Sequence, residues 1–191
     1  MNNNFETLTK IIKEIRSVFP GSYIQKEIPV ELIELLLENA NYAPTHKLTQ
    51  PWRFTVVRKE AKRRLGIKLA QLYKEKVEAP KFLQKKHDSF LQKTDQADCI
   101  LAINIQFHPD KVPNWEEIAA VACAVQNLAL TAESLNIGGY WSSPPLIDDL
   151  GPFLNLKENE KCFGLFYMGY HNDNPGEANR TPITDKVSWM E

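Results

Sequence analysis

Apolar residues recur at helical spacing in four stretches of the chain and crowd together in shorter runs between them. Phe5, Leu8, Ile11, Ile12 and Ile15 predict a one-sided helix, and a second opens at the first-turn proline Pro29 and continues through Leu32, Ile33, Leu36 and Leu37. Arg53 to Arg58 then reads as a strand, Glu60 to Val77 as a helix with Leu65, Leu69 and Leu72 inward, and Cys99 to Gln106 as an Ile-rich strand. Pro80 breaks the pattern between the last two. Trp115 to Asn136 carries the longest helical signal. After it come a Gly138-Gly139 turn, a short strand through Trp141, the paired Pro144 and Pro145, a brief helix near Asp148 to Phe153, and a strand from Cys162 to Tyr170. The pattern is mixed, with helices outnumbering strands.

In the long helix, Ala119, Ala120, Ala122, Ala124, Ala129 and Ala132 leave little bulk around most of the circumference, so burial on nearly every side is expected. Two arrangements supply such burial: the centre of a monomer, or a face shared with a second copy. The tail from Thr181 to Glu191 carries Ile183, Val187 and Trp189 without a hairpin partner, and is free to reach across to another subunit.

Composition sets the class. At 191 residues and 43% hydrophobic content, the chain is read as one domain spanning 1–191. Its 23 basic and 24 acidic side chains create no global field for nucleic acid, and Lys59, Lys62, Arg63 and Arg64 read as the wet face of a helix. Cys99, Cys123 and Cys162 lie far apart in apolar runs, as expected of buried reduced thiols in a cytoplasm. The start, Met1 to Asn4, lacks the basic and apolar parts of a signal peptide, and the apolar stretch from Ile118 to Ala132 is too short to span a membrane. There is no internal repeat; the linker-like stretch is the polar Asn172 to Asn179.

Candidate chemistry centres on the loop from Ala43 to Phe54. Pro44 and Pro51 fix their own φ angles and extend the residues before them, which holds the intervening Thr45, His46, Lys47, Leu48, Thr49 and Gln50 in one shape. Such a loop either serves a ligand or is an ordinary helix-to-strand connection facing water. Trp52 and Phe54 read as core. Phosphate-binding glycine loops, a nucleophile elbow, and zinc or paired-cysteine spacings are all missing. His46, His87, His108 and His171 are scattered, with His87 and His108 expected at the surface.

Five segments occur together in one order: Arg16-Ser17, the Ala43 to Phe54 loop, Lys111-Val112-Pro113-Asn114-Trp115-Glu116, Gly138-Gly139-Tyr140-Trp141-Ser142-Ser143, and the Gly164 to Tyr170 strand. In this the chain resembles compact members of the nitroreductase family over nearly its full length. The resemblance implies an α+β fold, with a central, mostly antiparallel sheet flanked by helices and an intertwined homodimer. It also implies an FMN at each of two sites built by both subunits, with NADH or NADPH as electron donor. Arg16 and Ser17 would hold the phosphate, with Arg180 as a further contact. His46 and Tyr42 would reach the flavin of the other subunit, while Trp141, Ser142 and Ser143 line the site from their own. Thr45, Lys47 and Gln50 are candidates on the same loop; Lys47 either stabilises the reduced ring or is a water-facing charge.

The implied chemistry is hydride transfer from the nicotinamide to the flavin, and then to a small electron-poor acceptor such as a nitroaromatic or a quinone. The flavin carries that chemistry, so no side chain is named as catalytic. Many family members have a basic residue before Arg16 and another two positions after Ser17; here those places hold Ile15 and Phe19. Two alternatives stay open: an FMN-binding protein with little turnover, acting as carrier or interaction module, and a flavin enzyme of other chemistry. The Lys-rich segment from Pro80 to Asp95, with Phe82, Leu83 and Phe90, is the expected substrate-facing cover.

Overall fold

The computed structural model describes residues 3–174 and 176–191; Met1 and Asn2 of the polar start and Pro175 of the 172–179 stretch lie outside them. One four-stranded antiparallel sheet organises the molecule, with strands β1 (Trp52–Arg58), β2 (Cys99–Gln106), β3 (Ile137–Ser142) and β4 (Glu160–Tyr170) in the order β1-β2-β4-β3. Among the described residues six α-helices accompany it: α1 (Asn3–Glu14), α2 (Val30–Asn41), α3 (Glu60–Lys76), α4 (Gln84–Gln96), α5 (Asn114–Ser134) and the short α6 (Gly151–Leu154). The architecture is α+β, with helices on both faces of an antiparallel sheet.

β2 is apolar at nearly every position because both of its faces are covered. Cys99, Leu101, Ile103 and Ile105 pack with α2 and α5, whereas Ile100 and Ala102 pack with α3 and α4. The register between β2 and β4 slips at Phe163, which is left without a partner between Cys162 and Gly164. That bulge re-aims Phe163, whose ring meets Trp141 edge-on at 5.6 Å between centroids.

Several expectations change. Gly138 and Gly139 do not form a turn; they lie inside β3, where they permit close approach. A Cβ on Gly139 would stand 2.3 Å from the Phe166 ring, and one on Gly164 would stand 2.1 Å from Trp141 Nε1. The lysine-rich stretch after Pro80 is mostly α4, held through buried Phe90 and Thr94 on the sheet face away from α5. α1 buries no side chain, and Phe5, Leu8 and Ile12 all face outward. α5 is only half buried: Ala120, Val121, Ala124, Val125, Leu128 and Ala132 face the core, while Trp115, Ala119, Ala122 and Cys123 are exposed. Cys123 is therefore an open thiol, unlike Cys99 and Cys162.

Candidate functional site

The candidate residues gather in two groups at opposite ends of the exposed face of α5. The first begins where α1 stops. Ser17 bridges to Gly139 of β3, and the Val18 amide donates to the Gly139 carbonyl at 3.0 Å. This short parallel bridge fixes Arg16 and Ser17 beside Trp141. Arg16, Ser17, Trp141 and Arg180 then line one cavity of about 440 Å³ with Ile15, Gln126 and Glu133, among others. That volume lies within the usual range for small-molecule sites.

The cavity's electrostatics favour an anion, with one opposing group. Arg16 Nη1 donates to the carbonyls of Lys13 at 2.6 Å and Ile15 at 2.8 Å, as a cation at the end of α1 should. Its Nε is buried with no hydrogen-bond partner, and the same holds for Trp141 Nε1. Buried donors left unpaired cost free energy. Trp141 Nε1 stands over Gly164, which is outside the cavity lining, so the orphaned donor that bears on an acceptor-rich ligand there is Arg16 Nε. Glu133 lines the same space, and burial pushes its carboxyl up from the ordinary carboxylate range. Ile15 contributes no charge there. Arg16, Ser17 and Arg180 bring two guanidinium groups and a hydroxyl to the lining, donor chemistry of the kind a phosphate requires.

The second group is the loop between α2 and β1. Lys47, Leu48 and Gln50 all adopt positive φ, at 48°, 54° and 43°, although none is glycine. Left-handed backbone costs a side-chain-bearing residue about 1–2 kcal/mol and persists only where the surroundings enforce it. Here the Gln50 amide donates to Thr45 Oγ1 at 3.0 Å, Lys47 Nζ to the Lys111 carbonyl at 2.8 Å, and Arg53 Nη1 to the Gln50 carbonyl at 2.9 Å. His46 Nδ1 meets Glu116 Oε2 at 2.5 Å. Thr45 and His46 border a shallow concavity of about 450 Å³ with Trp115, Glu116, Ala119 and Cys123.

The sequence candidates thus divide within one protomer. Arg16, Ser17, Trp141 and Arg180 share the first cavity. Ser142 ends β3 and Ser143 lies exposed beyond it, so neither borders that space. Tyr42 is 77% exposed at the end of α2. Thr45, His46, Lys47 and Gln50 stay on their loop. From Ala119 to Ala129 the two groups are separated by about 15 Å along the helix axis. No residue of α4 lines either space, so its expected role as cover has no counterpart in the protomer.

Sequence reasoning missed two carboxylates. Glu116 pairs with His46, 70 positions earlier, which no local spacing signals. Glu117 is 1% exposed and accepts from both the His108 amide at 2.8 Å and His108 Nδ1 at 2.7 Å. His108 is accordingly a half-buried anchor of the loop before α5 rather than a surface residue. Among the described residues, no helix is long and apolar enough to cross a membrane, and no cluster of potential ligands could hold a metal ion.

Relatives share this frame. YfhC of Bacillus subtilis, whose assignment as an NAD(P)H nitroreductase is itself provisional, is 29% identical over 185 residues, covering 96% of this chain and 94% of its own. A nitroreductase-like family protein from Bacillus cereus superposes with a TM-score of 0.82 at 23% identity, covering 96% of each chain. The FMN-dependent nitroreductase NfnB from Mycobacterium smegmatis, solved with NADPH, superposes with a TM-score of 0.77 at 18% identity over 99% of this chain and 100% of its own. The family's sequence pattern itself is matched from residue 22 to residue 170, most of the chain, and on that match the protein belongs to the nitroreductase family.

Proposed function

We propose that this protein is a homodimeric FMN-dependent oxidoreductase using NADH or NADPH, with each site built from both subunits. The observation that carries the reading is the cavity shared by Arg16, Ser17, Trp141 and Arg180, with a buried unpaired donor on Arg16. Small side chains at Ala119, Ala122 and Cys123 let a second α5 cross closely in the antiparallel sense. A second copy seated on this face would lie along the exposed stretch between the two groups of residues. Each His46 loop then meets the other copy's Arg16 cavity, which unites the two groups.

When bound, FMN supplies hydride transfer from the nicotinamide to an electron-poor acceptor such as a nitroaromatic or a quinone. Arg16, Ser17 and Arg180 bind the phosphate. Trp141, with Ser142 and Ser143 beyond it, walls the ring from one subunit, and Tyr42, Thr45, His46 and Gln50 close it from the other. Lys47 already donates to Lys111, which favours the role of fixing the loop over contacting the ring. Anaerobic mixing of the flavin-loaded dimer with NADPH or NADH should bleach the flavin absorbance; no bleaching with either defeats the reductase reading. A binder with little turnover is the second reading, favoured by Ile15 in the cavity and by the engagement of Arg16 Nη1 with the Lys13 and Ile15 carbonyls. Persistent yellow colour with slow bleaching would support it.

A further inference from the structure

We infer that Glu116 is a positioning residue for the site, fixing the ring of His46 so that Nε2 faces the ligand; this rests on the flavin reading above. The contact is short, 2.5 Å from Nδ1 to Oε2, and spans two elements brought together only by the fold. An ionised carboxylate only accepts, so Nδ1 carries the proton in this pair. Nε2 is then the ring nitrogen left free, and the tautomer and orientation of the imidazole are set by its other hydrogen bond.

Three features aim Glu116 at this task. It lies in the first turn of α5, whose preceding Pro113 gives no side-chain cap, so the unsatisfied amides favour a carboxylate there. Its neighbour Glu117 points inward and grips His108 through both the amide and Nδ1, which anchors the turn from which Glu116 projects. The left-handed geometry at Lys47 and Leu48, with Lys47 tied to Lys111, holds the His46 loop against the segment that leads into this turn. His46 and Glu116 both line the concavity at that end of α5.

The pair is a poor candidate for a stabilising element. The His46 side chain is 58% exposed and that of Glu116 22%, and an ion pair open to water on one side adds little to folding. Removing Glu116 should therefore leave the fold intact and alter the ligand. The test compares E116A, E116Q, H46A and the E116A/H46A double variant with the wild type, reading FMN affinity by fluorescence titration and apo-protein stability by urea denaturation. E116A should weaken FMN binding about tenfold in the wild-type background and less than about twofold in the H46A background, with E116Q, which can still accept from Nδ1, near wild type. Side-chain spectra of 15N-histidine-labelled apo-protein should show His46 losing its Nδ1-protonated signature in E116A alone of the two Glu116 variants. Equal weakening in both backgrounds, or no weakening, overturns the positioning role. A wild type that binds no FMN overturns the flavin reading itself.

Discussion

Placing a methyl group on Gly164 tests how closely Trp141 is packed where it walls the candidate site. A Cβ at Gly164 would stand 2.1 Å from Trp141 Nε1, 2.7 Å from its Cδ1 and 3.0 Å from the Ser142 carbonyl oxygen. Favourable contacts begin near 3.5 Å, so the indole edge must retreat by more than about 1 Å. Phe163 stands against the same indole, and the strand pairing of β3 with β4 resists a backbone shift. Overpacking of this kind costs about 2–3 kcal/mol, a fall in Tm of about 4–12 °C for a chain of this size. Gly151→Ala is the control, since nothing lies within 4 Å of the added carbon. Thermal and urea unfolding should show Gly164→Ala destabilised and Gly151→Ala unchanged. In a Trp141→Ala background the penalty should shrink by at least about 1 kcal/mol. A Gly164→Ala protein as stable as the control, or an unchanged penalty without Trp141, refutes the packing argument.

Arg16→Ala should weaken FMN binding by about 1.5–3 kcal/mol, the loss of one charge-assisted contact, read by titration of the apo-protein; unchanged affinity removes Arg16 from the phosphate site. Ala122→Arg should convert the proposed dimer to a monomer in sedimentation velocity, and a dimer that survives the change places the interface elsewhere. Glu117→Ala, which strands the His108 amide, should lower stability by about 1–3 kcal/mol in urea unfolding. Burial pushes the Cys99 thiol up to about 12 and the Cys162 thiol up to about 11. Above pH 9 the unfolded chain therefore sheds these protons while the folded chain keeps them. Stability should fall from pH 9 towards 11, by up to about 1.4 kcal/mol per thiol per pH unit. Unfolding in reducing buffer should show a flatter decline for the Cys99→Ala/Cys162→Ala variant.

Much of the framework was legible because it rests on local periodicity. The apolar stripes of α2 and α3, the continuous apolar run of β2 and the small residues of α5 each announce their element. α4 gave no such signal: Phe90 and Leu91 are nearly its only apolar residues, and its helix depends on packing against α3, where Gly66 lets Thr94 come close. The paired glycines misled for a related reason, since glycine serves a close approach in a strand as readily as a turn. In the candidate site, Arg16, Ser17 and Trp141 were reachable through their ordered motifs, and the structure joins them through the Ser17–Gly139 bridge. Glu116 and Glu117 were not, because a carboxylate on a helix looks the same whether it faces water or a histidine brought in by the fold. The open half of α5 was legible as excess apolar surface, without its direction.

The left-handed stretch at Lys47, Leu48 and Gln50 bears on any attempt to toughen this protein by selection. A library screened for heat resistance alone should enrich glycine at those positions, because glycine adopts the same dihedrals without steric cost. The winners would fold better with a slacker arm beside the helix, since glycine also opens every other conformation to that arm. Heat tolerance and grip on a small molecule would then move in opposite directions, through three residues that touch no hydrophobic core.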